Sequence, residues 1–575
     1  MNTESRYDQV PFVQKDHLEY PELTMFQMVE RIAAEYPDEP AYEFYNKKTS
    51  YQNFIRKVEQ AARAFTAKGI RRDDAVTICM PNTPQTLICF YALNRIGARA
   101  NMVHPLSAQT EITFYLNISQ SKMLLTLDMF CENVEKAVAA ADHPVTVLVA
   151  RMQDELPLHL AAAYTVAKGR KFLKYPNTEH SMLWTKFLRA GSASVTLPGS
   201  VYDPSHTSVI LYSGGTSGTP KGICLSDQNF NACAMEAREA IGSEFRCGLS
   251  LLACMPCFHG FGLGINVHTV LIHGACCLLM PSFDKNSYAN MLIKKRPNYI
   301  AGVPTIFEAL LHLPQLEGQD LSFLKGMFCG GDSLSVELKA KIDKFLKEHG
   351  ASIQVREGYG LTECVTASCL TPRDEYRPGS IGIPFPDTEY RIVRPGTSEL
   401  LPPLAEGEII LTSPTVMIGY LNNEAETAST LRRLPGDRRT WLYTGDLGYM
   451  DEEGYVYFRQ RLKRMIITNG YNVYPGQIEN VIDSCPEVAY SCVIGVPDPR
   501  RMQRVRAYIV LRDGVTPDDA CRERIMETLR MHVAAYALPK EIEFRDSLPR
   551  TLVGKVAYRR LEEEAAGKMQ DPIAV

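Results

Sequence analysis

A chain of 575 residues, 45% hydrophobic and 22% charged, has the mix of a globular protein, which excludes the disordered, collagen-like and coiled-coil classes. Sixty-two Lys and Arg against 66 Asp and Glu leave a net charge of −4, so no bulk field draws nucleic acid or an anionic membrane to it. The length suits two unequal α/β domains. The opening residues lack the basic start and apolar run of a secretory signal, and the 16 cysteines are scattered singly through apolar stretches such as Leu87-Ile-Cys89-Phe-Tyr91. Both features lead to the expectation of a cytoplasmic protein in a reducing compartment.

From Ser50 to Leu127 the apolar periodicity alternates between helix and strand. Ile55, Val58, Ala62 and Phe65 mark one helix face, Ala75–Met80 reads as a buried strand, and Thr86–Ile96 as a helix ended by Gly97. Ala98–Val103, Glu111–Ser119 and Met123–Leu127 continue as strand, helix and strand. Such alternation predicts an α/β fold of mainly parallel sheets covered by helices. Residues 155–195 break the rhythm, with Lys168–Lys174 strongly basic beside the apolar His159–Tyr164; the expectation here is a solvated excursion, with weak peripheral membrane contact as the alternative.

The stretch from Cys247 to Phe283 has no Asp, Glu, Lys or Arg, but Pro256, three glycines and three histidines interrupt its apolar run, so it reads as buried strand, loop and helix and not as a membrane span. Cys254 and Cys257 have redox-motif spacing but no second cysteine pair at zinc-ligand spacing. After about Asp451 shorter elements suggest a small α+β domain: a helix over 478–485, strands over 489–496 and 504–511, a helix over 517–533 and a strand over 541–544.

The strongest chemical signal is Tyr212-Ser-Gly-Gly-Thr-Ser-Gly-Thr-Pro-Lys-Gly222, directly after an apolar strand. Its glycines let backbone N–H groups converge and its hydroxyls add donors, which suits a phosphate. It is not the kinase-type P-loop, because Pro220 precedes Lys221 and Gly222 follows it.

This segment resembles the signature of the acyl-adenylate-forming superfamily, and further motifs follow in that family's order: Met255-Pro256 with Phe258-His259-Gly260, Gly302–Thr305, Gly330–Leu334, Glu357–Glu363, Tyr443–Asp446, the Arg461 segment and Leu548–Lys555. The resemblance spans roughly residues 25 to 565. It implies an ATP-dependent acid:CoA ligase using Mg²⁺ and coenzyme A, with an adenylation domain over 1–460 and a mobile domain over 461–575 hinged near Lys463.

By the same resemblance, Ser213, Gly214, Gly215, Thr216, Ser217, Gly218 and Lys221 hold the phosphates, Glu363 is the Mg²⁺ ligand and Thr362 donates to the α-phosphate. Tyr359, with Gly360, stacks on adenine, Asp446 accepts from the ribose hydroxyls, and Gly331 and Asp332 line the adenine and acyl sites. His259 gates the acid pocket. Lys555 is the catalytic cation, Arg461 and Lys463 belong to the hinge, and Gly470 leaves room for the CoA arm. Ser217, Asp332-Ser333 and Gln460 depart from the usual pattern, and the Asp332 change bears on pocket shape.

The partners implied are a small carboxylic acid, ATP and CoA, with no nucleic acid. The alternatives are an acyl-AMP ligase that loads a carrier protein, disfavoured by the compact spacing from Glu363 to Asp446, and a silent nucleotide-binding regulatory protein, disfavoured by intact Glu363, Asp446, Arg461 and Lys555. Apolar Phe261, Val303, Cys364 and Val365 lean the acid toward fatty or aryl types.

Overall fold

In the computed structural model the described residues are 17–166, 180–213, 220–242, 244–464, 466–468, 471–473, 475–498, 502–533, 537–550 and 556–567. The chain divides into two compact units: Met1–Tyr390 with Leu411–Tyr443 and Glu453–Tyr455, and Arg391–Ile410 with Thr444–Glu452 and Val456–Val575.

The first unit carries two sheets. One is eight-stranded and runs across space as 419–420, 221–225, 209–213, 99–103, 75–79, 123–127, 146–150, 181–183. From 209–213 to 181–183 every neighbouring pair is parallel, while 221–225 folds back antiparallel on 209–213 and receives 419–420 antiparallel on its other edge. The other sheet is nine-stranded, in the order 383–384, 369–370, 355–359, 326–329, 299–302, 250–253, 276–279, 40–44, 47–50, with a parallel centre from 355–359 to 40–44. Parallel centres need both faces covered, and one contiguous core cluster including Val58, Phe65, Leu93, Phe230 and Leu252 does this.

The helices form where the sequence supplies an apolar face and a cap. Tyr51–Ala67 buries Phe54, Val58, Ala61, Ala62 and Phe65 behind the N-cap Ser50, whose hydroxyl accepts from the Asn53 N–H. Asp227–Ile241 begins with a reciprocal cap between Ser226 and Asn229. Pro84–Arg95 instead buries every residue from Pro84 to Asn94, and its periodicity is correspondingly weak.

The sequence reading of elements from 50 to 127 lies within a few residues of the observed ones, and Met123–Leu127 and Glu541–Phe544 coincide with observed strands. One difference is instructive. The charge-poor stretch holds strands Ser250–Ala253 and Cys276–Leu279, but the helix between them is a π-helix, Phe261–Thr269, continuing as Val270–Ile272. All nine π residues are buried, so no face-to-face contrast exists from which to read a period. Among the described residues no helix is long and apolar enough to cross a membrane. The basic segment 168–174 lies outside the described residues; the apolar helix before it is Leu158–Tyr164.

In the second unit a sheet forms around Met502–Leu511, which pairs antiparallel with Val488–Asp498 and parallel with Glu541–Phe544. Helices Pro475–Asp483 and Asp519–His532 place Ile478, Ile482, Ile525 and Leu529 in its core.

Candidate active site

In open α/β sheets ligands bind beyond the carboxyl ends of the strands. In the first unit those ends carry the predicted motifs. Strand Val209–Ser213 leads into the Gly-rich segment and Lys221–Leu225 leaves it, with Ser213 opposite Lys221 in the antiparallel register. The ends of the segment are thereby fixed, although Gly214, Gly215, Thr216, Ser217 and Gly218 lie outside the described residues. Tyr212 anchors the incoming strand: its hydroxyl donates to Asn101 Oδ1 at 2.8 Å, and Asn101 Nδ2 donates to Thr77 Oγ1 at 2.8 Å and Ser119 Oγ at 3.1 Å.

The Lys221 ammonium pairs with Glu426 of the short helix Glu424–Thr430 and lies 4.9 Å from the ring centroid of Tyr420. Tyr420 in turn donates its hydroxyl to Glu363 Oε1 at 2.9 Å. Burial, and then the Glu363 charge, hold the phenol above its ordinary range, so it stays a donor. Sequence reasoning missed both Tyr420 and Glu426. No motif around them distinguishes a tyrosine from any other strand residue, and both meet the site only after folding.

Glu363 sits in the 3₁₀ turn Thr362–Cys364 that follows strand Val355–Tyr359. The turn is tightly over-determined. A Cβ on Gly360 would lie 1.6 Å from the Thr366 carbonyl oxygen, and one on Gly260 would lie 1.7 Å from the Val365 carbonyl oxygen. Neither position accepts a side chain. Between them Val365 takes φ 66° and ψ −61°, a γ-turn of the rarer hand closed by the Thr366 N–H donating to the Cys364 carbonyl at 2.8 Å. A buried β-branched residue in that region stores strain, and such strain persists where surrounding packing imposes it. The outcome is a carboxylate and a hydroxyl, Glu363 and Thr362, presented on a stiff backbone.

Tyr359 ends the strand, with its ring edge-on to Tyr390 at 6.5 Å between centroids. The neighbouring strand ends in Cys329, and Gly330, Gly331 and Asp332 follow, joined to the Gly302 turn by the Gly330 N–H donating to the Gly302 carbonyl at 3.1 Å. Asp332 accepts the Ser333 N–H through Oδ1 at 3.0 Å and is exposed. Glu357, buried at 8% exposure, accepts the Leu334 N–H at 3.1 Å and so ties this loop to the Tyr359 strand. Burial pushes its carboxyl up to about 7.

His259 lies in the turn two residues before the π-helix. Its Nδ1 accepts the Phe261 N–H at 3.2 Å, so Nδ1 is not the protonated nitrogen of the neutral ring. The preceding turn is clamped by Asn82, whose Nδ2 donates to the Met255 carbonyl at 2.8 Å and whose Oδ1 accepts the Cys257 N–H at 2.9 Å. Burial pushes the Cys254 and Cys257 thiols up to about 12, which suits apolar packing and not thiolate chemistry.

The other predicted groups belong to the second unit. Asp446 is fully buried, with Oδ1 3.3 Å from Arg461 Nε, and the two residues face each other across strands Trp441–Met450 and Val456–Arg461. Each arginine from Arg459 to Arg464 has a carboxylate partner in this unit: Arg459 with Glu406 at 2.9 Å, Arg461 with Asp446, and Arg464 with Glu479 at 2.5 Å. Lys463 lies in the 3₁₀ turn Leu462–Arg464. Gly470 and Lys555 lie outside the described residues.

Among the described residues no cluster of three His, Cys, Asp or Glu is arranged to hold a metal. Glu363 fits a hard cation whose remaining ligands are phosphate oxygens and water: its carboxylate carries about four acceptor sites and Tyr420 occupies one.

A family model described as "AMP-binding enzyme" matches residues 29–421, and one described as "AMP-binding enzyme C-terminal domain" matches residues 477–555. The long-chain-fatty-acid–CoA ligase of Bacillus subtilis is 34% identical over 563 residues, 95% of each chain. That of Escherichia coli O6:H1 is 30% identical over 560 residues, 95% of this chain and 96% of the relative. The fold also matches the ATP-bound crystal structure of MatB from Rhodopseudomonas palustris, with TM-score 0.78 at 24% identity over 95% of this chain and 99% of that one.

Proposed function

The chain belongs to the AMP-binding enzyme family as an acyl-CoA synthetase, an AMP-forming acid–CoA ligase that uses ATP and CoA, and from that premise we propose that it activates a medium- or long-chain fatty acid as an acyl-adenylate at Thr362 and Glu363. The observation that supports this most is the convergence of Lys221, Tyr420 and Glu363 beside the strand ends that carry the Gly-rich segment and the Tyr359 turn.

A carboxylate is a poor electrophile, so its oxygen attacks the α-phosphorus of ATP, the bond to the bridging oxygen breaks and pyrophosphate leaves. Charge on the polyphosphate is met by Lys221 and by the N–H groups of the Gly-rich segment, and Thr362 donates to the α-phosphate as the new bond forms. Glu363 would hold Mg²⁺, which when bound would supply charge neutralisation at the phosphates. Tyr359 offers adenine a ring face, and Asp446, carried with Arg461 on the second unit, is the acceptor for the ribose hydroxyls. His259 and the π-helix segment border the acid pocket, where apolar Phe261, Val365 and Val303 suit an alkyl chain. In the second half-reaction the CoA sulfur attacks the acyl carbon, AMP leaves, and the thiol proton passes to solvent. On this reading a pivot at Lys463 lets Lys555 serve the first half-reaction and the region of Gly470 the second.

The test separates the two halves over a panel of fatty and aryl acids, with pyrophosphate and thioester both measured. Lys555→Ala is expected to lower pyrophosphate release by about 10²–10³-fold while thioester formation from supplied acyl-AMP and CoA survives. Equal loss of both half-reactions overturns the two-position reading. Turnover of aryl acids alone overturns the fatty-acid reading, and acyl-AMP release with CoA ignored moves the chain to the carrier-loading class.

A further inference from the structure

One five-residue segment, Met417–Leu421, touches both charge-bearing groups of the phosphate site. On one side its backbone is paired to the strand that starts at Lys221: Ile418 N–H donates to the Cys224 carbonyl at 2.9 Å and Leu421 N–H to the Gly222 carbonyl at 2.7 Å. In register, Gly419 stands opposite Cys224 and Tyr420 opposite Ile223. On the other side the Met417 N–H donates to the Glu363 carbonyl at 2.8 Å, while the Tyr420 hydroxyl donates to the Glu363 carboxylate. Glu363 is therefore held at main chain and side chain by the same segment. Tyr420 is itself fixed, because its N–H donates to Thr427 Oγ1 at 2.9 Å and its side chain is 9% exposed.

Each part of the phenol has a separate task. The hydroxyl selects one rotamer of a flexible glutamate, whose three free torsions otherwise cost entropy when a ligand fixes them. The ring face lies beneath the Lys221 ammonium, where a compact cation is attracted by the ring quadrupole. Folding has already fixed both orientations.

We infer that Tyr420 is a positioning residue that sets Glu363 and Lys221 at a fixed separation, so that a metal–polyphosphate complex meets its carboxylate and its ammonium in one prearranged geometry. This rests on the reading of Glu363 as the metal ligand. It assigns to Tyr420 no contact with the nucleotide. Its effect is on the metal-bound form of ATP in particular, because the hydroxyl acts only on the group that would hold the metal.

The experiment measures binding without turnover. Mn²⁺ replaces Mg²⁺, and its capture by the full-length protein with ATP is followed by electron paramagnetic resonance, beside calorimetric titration of metal-free ATP. Tyr420→Phe keeps the ring and removes the hydroxyl; it is expected to weaken Mn²⁺–ATP binding by about tenfold, the lower end of the worth of one hydrogen bond to a charged group, and to leave metal-free ATP binding and the melting midpoint unchanged. Tyr420→Leu removes both parts and is expected to weaken metal-free ATP as well. Glu363→Gln is the control for the underlying reading.

If Glu363→Gln binds Mn²⁺–ATP as the parent does, the metal-ligand reading fails. If Glu363→Gln weakens it and Tyr420→Phe does not, the metal-ligand reading stands and the positioning role falls. Equal weakening of Mn²⁺–ATP and metal-free ATP by Tyr420→Phe overturns the role too, since it marks a general packing defect, and Tyr420→Leu indistinguishable from Tyr420→Phe removes the Lys221 half.

Discussion

Two corners of the phosphate site are built on opposite principles. The Tyr359–Thr366 turn is held by backbone: Gly360 and Gly260 leave no room for a Cβ, and Val365 is forced into a γ-turn that it would not adopt alone. The Lys221 corner is held by side chains, with an ammonium shared between the partly exposed Glu426 carboxylate and the Tyr420 ring. The first corner resists adjustment, and the second is open to charge and salt. A site that must place a carboxylate within a fraction of an ångström, yet admit and release a highly charged nucleotide, gains from having one corner of each kind.

The contrast is sharpest at the glycines. Gly360→Ala sets a Cβ 1.6 Å from a carbonyl oxygen, so the turn must open. The expected loss is about 3 kcal/mol or more, seen as pyrophosphate release reduced beyond 10²-fold or as a lowered urea midpoint. Near-parental activity and stability would mean that the turn is soft and the comparison wrong.

The next effect in size comes from Glu357, which joins the two strand-end loops. Its folded carboxyl titrates at about 7, above the ordinary value of 4.5, because burial disfavours the charge. The unfolded chain loses this proton first, so stability contributed by the neutral group is full below about 4.5 and is lost as pH rises through 7. Glu357→Gln should match the parent at pH 5 and exceed it in melting midpoint at pH 8, by an amount worth up to roughly 3 kcal/mol. A difference that does not change with pH would show that the carboxyl titrates normally.

The smallest effect belongs to the side-chain corner. Glu426 is 35% exposed at its side chain, and a pair of that kind is worth at most about 1 kcal/mol. Because it draws on the ammonium that the phosphates need, Glu426→Gln should lower the KM for ATP by less than about fivefold, and the difference should vanish in high salt. A rise in KM, or a salt-independent change, would make Glu426 a structural support.

The same contrast explains what was legible in sequence. The strand–helix alternation from 50 to 127 was readable because each element shows one face to the core, and the Gly-rich and Gly-Tyr-Gly motifs because close backbone approach demands glycine at fixed positions. Thr362 and Glu363 came with them. Tyr420 was not readable: it lies 57 residues from Glu363, and what recruits it is strand pairing that no local pattern announces. Glu426 lies 205 residues from Lys221 for the same reason. The π-helix escaped because a segment buried all round has no period to detect. The second unit also draws in 391–410 and 444–452, since strand partners and not chain order decide which residues pack together.

Of the 16 cysteines only Cys247 is less than buried, and three, Cys485, Cys492 and Cys521, lie in the second unit, which leaves 13 in the first. Burial keeps these thiols in their unreactive protonated form, up to about 12 for Cys79, Cys364 and Cys276. The molecule therefore contains its own unfolding clocks. A thiol reagent should modify Cys247 at once and the others only as fast as their surroundings open, so the order in which the labelled peptides accumulate ranks the local stability of the two units without any engineered probe.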